Sequence, residues 1–498
     1  MRAFILVSLA LPLACQIASS TALAQDTAPI PPVLQTAPVP SPVDYAGAVW
    51  VAAGEGNFQA ANRPREQPID MVIVHDIEGP DTAALSIFQR AGAKVSSHYV
   101  VGVDGTIYQM VREHDVAWHA GNGDINRRSV GIETHGYAYR PGFYTPKIYE
   151  AEAKLVRDIT QRYNIPRDRT HIIGHAEVPN PRDPTRFGGV SGHTDPGPYW
   201  DWNTFMALVR NDARVESAEI PTVIRPGEKL PIVVNLQNTG DDAWVANKAS
   251  NPRIGLQADA PVVYLGTSQG TASEFSSLGG WLAPQYADVV KTTDVAPGAS
   301  ARFEFTLQGP RTLGEINEEL RAIRVPTIAQ GGTPTPFGAS IPLKLNVVPW
   351  DMTVPAPDNA TAGTTPAGTT TKPQPLAKWT VKLPMGGIWG VFVAPPKPTK
   401  VRKKEAFSYS LDGIEGGSNI TIDSKDAGQG FVFGGYYRVP EASKNALVVT
   451  LDKAPQGMEG MNAGSIRVVG PFPTMPEKMP PVQGAIGEIA TSTPQQWG

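Results

Sequence analysis

All eight histidines of this 498-residue chain fall between His75 and His193. A neutral imidazole is the commonest protein ligand for zinc, and it is the one side chain that normally titrates near neutrality. Such crowding points to a metal or acid–base site confined to one window. Three apolar, strand-like runs end there on a polar residue: Met71 to Val74 on His75, Ser129 to Ile132 on Glu133, and His171 to Gly174 on His175. In open α/β sheets ligands bind beyond the carboxyl ends of the strands, so these three side chains converge if their strands run side by side. Taken singly, each has an ordinary reading as well, a satisfied imidazole capping a strand or a solvated carboxylate after one.

The segment Ser191-Gly192-His193-Thr194-Asp195-Pro196-Gly197-Pro198 supplies further groups. If it is extended as far as Pro196, His193 and Asp195 share a face about 6 to 7 Å apart. One can then hold a metal while the other reaches substrate, and spacing alone leaves open which does which. Two histidines plus one carboxylate make a hydrolytic zinc set whose fourth position admits water, the pKa of which falls to about 7.

The elements that must position these groups follow from the patterning between Tyr45 and Ala213. Asp81 is placed to cap a helix with Leu85 and Phe88 on its apolar face. Tyr99, Val101 and Val103 alternate up to Asp104-Gly105, a hairpin signal, with Ile107 and Gln109 beyond it. Thr145 caps a second helix with Pro146 at its first position, where a missing N–H costs nothing. Leu155, Ile159 and Tyr163 line one face of that helix, and Pro166 marks its end. The expectation for residues 45–213 is a mixed α/β domain, a mixed central sheet flanked by helices.

Length predicts about three domains. Residues 1–24, with Arg2 before an uncharged stretch and Ala22-Leu23-Ala24 at its end, read as a secretory signal. An exported protein, periplasmic or extracellular, is expected, and no later stretch reaches the ~18 apolar residues of a transmembrane span. Cys15, the single cysteine, lies inside that leader. A lipid anchor there would need Cys15 as first residue, a pattern that Pro12 fits poorly. Cleavage after Ala24 leaves no thiol, so disulfides and cysteine ligands are excluded and any zinc must be held by His, Asp or Glu. A net charge of −4 gives no nucleic-acid footprint.

The motifs carry a resemblance. Ile73-Val74-His75-Asp76-Ile77-Glu78-Gly79, Ser96-Ser97-His98-Tyr99, Asp104-Gly105-Thr106-Ile107-Tyr108-Gln109, Ala117-Trp118-His119-Ala120-Gly121, Ser129-Val130-Gly131-Ile132-Glu133, Gly174-His175-Ala176-Glu177 and His193-Thr194-Asp195-Pro196-Gly197-Pro198 occur in order. Together they resemble the zinc-dependent N-acetylmuramoyl-L-alanine amidases of the type-2 family, relatives of the peptidoglycan recognition proteins. The resemblance implies cleavage of the amide between the lactyl group of N-acetylmuramic acid and the L-alanine of the stem peptide, with peptidoglycan as partner and one zinc per amidase domain. It implies His75, His175 and Asp195 as metal ligands and Glu133 as the acid/base carboxylate. His193 stands where relatives have lysine or histidine, a position suited, when protonated, to stabilising the tetrahedral oxyanion. Trp118 and His119 are placed to line a glycan–peptide groove, His98 to hydrogen-bond, Trp200 and Trp202 to pack in the core. A non-catalytic peptidoglycan-binding module of the same fold is the alternative from another class, and such a relative would usually have lost a ligand.

Downstream, strand alternation from Leu230 to Leu236, Phe303 to Leu307 and Ile341 to Val347 reads as a β-sandwich over 216–349, similar to immunoglobulin-like modules. Residues 25–44 and 351–377 read as Pro-rich linkers. Residues 378–470 give a second all-β pattern that resembles the sandwich ending golvesin and some xanthan lyases, with Phe431 where tryptophan is usual, and 471–498 read as a Pro/Gly-rich tail. Trp379 and Trp389 suit either core packing or stacking on sugars, so glycan or cell-wall contact through these modules stands beside a spacer role.

Overall fold

The computed structural model describes residues 43–247, 261–291, 293–327, 333–357, 376–400, 405–441, 446–456, 458 and 461–477. The leader with Cys15, the first linker up to residue 42, most of the second linker and the tail from 478 lie outside the described residues. Among the described residues no helix is long and apolar enough to cross a membrane.

The N-terminal part is a six-stranded sheet with helices. Its strands and neighbours run, in chain order, β1 (Ala48–Trp50), β2 (Phe58–Gln59), β3 (Met71–Asp76), α1 (Asp81–Gln89), β4 (Tyr99–Val101), β5 (Ile107–Gln109), β6 (Val116–Ala117), α2 (Gly123–Arg128), β7 (Ser129–Thr134), α3 (Pro146–Tyr163), β8 (Ile172–Gly174), β9 (Pro179–Asn180), β10 (Asp183–Phe187) and α4 (Trp202–Arg210). The order across the sheet is β1-β5-β4-β7-β3-β8, with β2 and β6 forming a separate pair and β9 and β10 another. β7 and β8 flank β3 in parallel, and the β4–β5 hairpin is antiparallel, so the sheet is mixed as its sequence predicts. β3 is buried along all six residues because it has parallel neighbours on both edges and cover on both faces. It runs past His75 to Asp76, two residues beyond the apolar run.

Alternation along the central strands sorts their side chains. Val72, Val74, Val130 and Ile132 join the core formed with Ile148, Leu155, Val156 and Ile159 of α3. Met71 and Ile73 join a second cluster with Ile125 of α2 and Val178. His75, two residues beyond Ile73, therefore shares the face away from α3, and so does Glu133, its partner in the β3–β7 register.

Local signals place the helices. Thr145 accepts a hydrogen bond from the Ile148 N–H, Pro146 opens α3, and Asn164 ends it in the left-handed region at φ 54°. The end comes two residues before Pro166. α1 differs from expectation: Pro80 is the residue at its N-cap and Asp81 sits inside the first turn, where its carboxylate bonds the His135 Nδ1. Pro80 is extended (φ −72°, ψ 149°) and lacks the N–H a helix interior needs, which sets the boundary there.

The rest of the described chain is all-β. Three-stranded (Ala213–Ala218, Lys229–Asn238, Ser300–Gln308) and five-stranded sheets follow the helical part. Beyond them two four-stranded sheets share one apolar core that contains Trp379, Val391, Tyr409 and Val449. One sequence reading is corrected here and one open alternative is decided. Trp350–Val354, read as the edge of the second linker, is a strand paired with Ser465–Phe472, its alternating Trp350, Met352 and Val354 packing on the last core. Trp379 and Trp389 are 1% and 0% exposed, so neither can stack on a sugar.

A single apolar core is continuous from β3 and β7 through α3 and α4 to Phe337, Leu343 and Leu345 of the five-stranded sheet. Ion pairs rim the junction: Arg157–Asp212 at 2.8 Å, Arg167–Asp241 at 2.9 Å and Arg321–Glu150 at 2.8 Å.

Inside α3, Glu152 is fully buried. The Thr134 hydroxyl donates to its Oε2 at 2.6 Å, while Oε1 has no partner. Burial pushes this carboxyl from 4.5 up to about 8. The folded state thus holds a proton that the unfolded chain releases, and stability is lost as pH rises from about 4.5 through about 8. Glu152→Gln keeps the shape without the acid. Its unfolding free energy relative to wild type, measured by denaturant titration, should climb between pH 5 and pH 8 by up to about 1.4 kcal/mol per pH unit; parallel profiles would refute the assignment.

Candidate metal centre

The carboxyl ends of β7, β3 and β8 lie side by side and deliver Glu133, His75 and His175 to one place. The loop leading to α4 adds Asp195 and His193. The Nδ1 atoms of His75 and His175 stand 3.0 Å apart. Asp195 reaches both, Oδ2 at 3.3 Å from His75 Nδ1 and Oδ1 at 3.4 Å from His175 Nδ1. All three residues are buried, and together they could hold a metal ion. Tetrahedral ligand atoms about 2.0–2.1 Å from a zinc-sized ion lie roughly 3.3 Å from one another, so the donor set fits such an ion in spacing as well as in chemistry.

Electrostatics agrees with that use. Burial and the neighbouring His175 push His75 down to about 4, against the pull of Asp195, which leaves a neutral ring with a lone pair at pH 7. Asp195 is held far below the usual carboxylate range: burial opposes its charge, and the imidazoles of His175, His193 and His75 more than compensate. It is therefore ionised at neutral pH.

The Asp195 loop is tied down by backbone and by Tyr144. The Ala176 N–H donates to the Asp195 carbonyl at 2.8 Å, and the Asp76 N–H lies 3.4 Å from Asp195 Oδ2. The Tyr144 hydroxyl sits 2.8 Å from the Pro196 carbonyl and also bonds the Asp76 carboxylate. Gly197, at φ 77°, lies so close to Ala138 that a Cβ would meet its carbonyl oxygen at 2.4 Å. Sequence reasoning missed Tyr144 and Asp76. Asp76 could have been found as the acidic neighbour of His75, whereas Tyr144 is masked by its position just before a helix cap.

Around the three ligand candidates, Glu133 is partly buried at the rim, and burial followed by the charges of Asp195, Asp76 and Glu152 raises its carboxyl well above the ordinary range. That direction suits a group which takes up and returns a proton near neutrality. His193 stacks on His175 with ring centroids 4.3 Å apart, and its Nδ1 is 3.4 Å from Asp195 Oδ1. Its side chain is 52% exposed, and the hydrogen bond to Asp195 outweighs burial to raise its pKa. Trp118 is half-buried with the Lys94 ammonium 5.6 Å from its ring. His119, expected along a groove, is 6% exposed and sits beneath His75, its Nδ1 3.0 Å from His75 Nε2. His98 is buried deeper, accepting the Gly131 N–H at 3.0 Å. His114, His135 and His171 stand apart and face Asp115, Asp81 and Asp168.

Comparisons with known proteins point to the same region. A family profile described as N-acetylmuramoyl-L-alanine amidase matches residues 65–198. The chain is 32% identical over 184 residues to N-acetylmuramoyl-L-alanine amidase A of Achromobacter lyticus, covering 34% of this chain and 96% of that protein. It is also 32% identical over 178 residues to the 1,6-anhydro-N-acetylmuramyl-L-alanine amidase AmpD of Citrobacter freundii, covering 31% of this chain and 88% of that one. Among solved structures, a selenomethionine derivative of AmpD is 27% identical and covers 33% of this chain and 96% of its own, with a TM-score of 0.27.

The site also depends on what is missing from Gly131. A Cβ there would lie 2.4 Å from Cγ of the His119 ring, which is enclosed and has nowhere to go. Gly131→Ala should therefore cost about 1–3 kcal/mol by overpacking. Denaturant unfolding of the metal-free chain measures it, and an unchanged midpoint would contradict the packing described.

Proposed function

The chain belongs to the N-acetylmuramoyl-L-alanine amidase family, and from that premise we propose that residues 45–213 form a zinc-dependent peptidoglycan hydrolase that cleaves the amide between N-acetylmuramic acid and the L-alanine of the stem peptide. The observation that carries the reading is the cluster itself: two imidazole Nδ1 atoms and a carboxylate at 3.0 to 3.4 Å, with Glu133 in register beside His75. In this reading His75, His175 and Asp195 hold the zinc. Zinc, when bound, supplies a Lewis acid and lowers the pKa of water to about 7.

The remaining chemistry belongs to the side chains. Glu133 takes the proton of the attacking water and delivers it to the leaving amine of L-alanine, a dual use that its raised pKa supports. His193, half exposed at the mouth and kept protonated to higher pH by Asp195, donates to the carbonyl oxygen as it becomes an oxyanion. Trp118, partly exposed and next in the chain to His119, is the candidate for contact with substrate. The retention of all three ligands and of Glu133 speaks against a module that only binds.

The wider organisation is proposed with it: an exported protein in which residues 216–349 are an immunoglobulin-like sandwich and 378–470 a golvesin-like one. With Trp379 and Trp389 enclosed, these modules act in this reading as a spacer that carries the catalytic domain.

Incubation of the protein with purified peptidoglycan should release new L-alanine amino termini, and a chelator should abolish the release; wall binding without new termini would leave only a binding module. His75→Ala, His175→Ala and Asp195→Ala should each lose zinc as well as activity. His193→Ala should retain zinc by elemental analysis while turnover falls by about 3 to 4 kcal/mol of barrier, and unchanged turnover would remove His193 from the reaction. Glu133→Ala should likewise keep its zinc and lose activity, whereas lost zinc would make Glu133 a ligand.

A further inference from the structure

A chain of hydrogen bonds leads away from the metal cluster into the protein. It links His75 Nε2 to His119 Nδ1 at 3.0 Å, His119 Nε2 to Ser129 Oγ at 3.2 Å, and Ser129 Oγ to the Ile125 carbonyl at 2.7 Å. We propose that His119 is a positioning residue which, oriented by Ser129, fixes the proton of His75 on Nε2 and turns the Nδ1 lone pair toward Asp195 and His175. The inference rests on the reading of this cluster as a metal site.

The direction of the chain follows from its far end. A carbonyl only accepts, so the single hydroxyl proton of Ser129 is committed to Ile125. Ser129 Oγ then accepts from His119, which places the proton of a neutral His119 on Nε2 and a lone pair on its Nδ1. The contact with His75 Nε2 requires one proton between two nitrogens, and only His75 can supply it. A neutral His75 with Nε2–H has a bare Nδ1, which therefore does not donate to Asp195 3.3 Å away. The bare Nδ1 of His75 then faces His175 Nδ1 at 3.0 Å and the Asp195 carboxylate at 3.3 Å, an arrangement that a cation satisfies. A cationic His119 would reverse the chain, but its ring is buried beside His75 and His98, and the Arg63 guanidinium lies 2.8 Å from His98.

The anchor is built, not incidental. Asn122 caps α2 by accepting the Asp124 and Ile125 N–H groups at 3.0 and 3.3 Å, which fixes the Ile125 peptide. Asn126 Oδ1 accepts the backbone N–H of His119 at 3.2 Å and of Ala120 at 2.8 Å. Gly131 leaves open the space that the His119 ring fills. An outer partner of this kind typically contributes 10- to 100-fold to metal affinity.

The test is zinc affinity of the full chain, measured by competition with a chromophoric chelator, on protein whose metal-free melting matches wild type. His119→Phe fills the space without an acceptor and should bind zinc about 10- to 100-fold more weakly. His119→Asn, whose side-chain oxygen can accept the His75 proton, should restore most of the loss. Equal affinity of His119→Phe and wild type overturns the inference, as does His119→Asn no better than His119→Phe. If His119→Phe does not fold, Ser129→Ala takes its place: weakened zinc binding supports the chain and unchanged binding overturns it. Histidine 15N spectra of the zinc-loaded wild type should show His119 protonated on Nε2, and a proton on Nδ1 overturns the assignment. Wild type that binds no zinc at all would instead remove the metal reading on which this one stands.

Discussion

Three side chains able to donate a lone pair, gathered in one buried place, are the constraint around which this region is arranged. His75, His175 and Asp195 converge at 3.0 to 3.4 Å in a buried place, so each must find its partner among the others or in a bound ion. Such a cluster is held together by the covalent and hydrogen-bonded frame behind it. That frame is the parallel pairing of β3 with β7 and β8, whose register sets the level of each side chain, and the Asp195 loop, tied back through Ala176 and Tyr144. A site of this type is accordingly expected to gain stability from the ion that it binds.

Much of this was legible in the sequence, for a physical reason. A strand with parallel neighbours on both sides is apolar throughout, so the first polar residue at its end is conspicuous, and His75 and Glu133 stand out in that way, while His175 follows the short apolar run of the edge strand β8. The helix over Pro146–Tyr163 was equally plain, since its cap, its N1 proline and its apolar face all agree. Asp195 against His193 was not decidable from spacing, because both lie in a loop whose path is set by contacts of Gly197 with Ala138 and of Pro196 with Tyr144, partners distant in sequence. His119 was misplaced for a related reason. A histidine beside a tryptophan looks like a surface pair, and only the gap above Gly131 shows that the ring turns inward.

The all-β portion was readable as alternation and less so as boundaries. Trp350, Met352 and Val354 alternate like any edge strand, but the prolines that follow hide the pattern, and the partner strand lies more than a hundred residues later. The two tryptophans of the last core could not be assigned to inside or outside from sequence because a flat β-face of either sort contains aromatics. Their complete enclosure shows that they contribute packing.

The shared core between the helical part and the five-stranded sheet has a consequence for how such proteins can be rearranged. Leu208, Val209 and Ala213 belong to the same apolar body as Phe337, and Gly338 lies directly against Ala213. A graft that moved residues 45–213 onto an unrelated carrier would bare a greasy flank on α4 and invite clumping. Recombination that respects this seam has to carry the second unit along, or resurface α4 with polar side chains at the positions that now touch it.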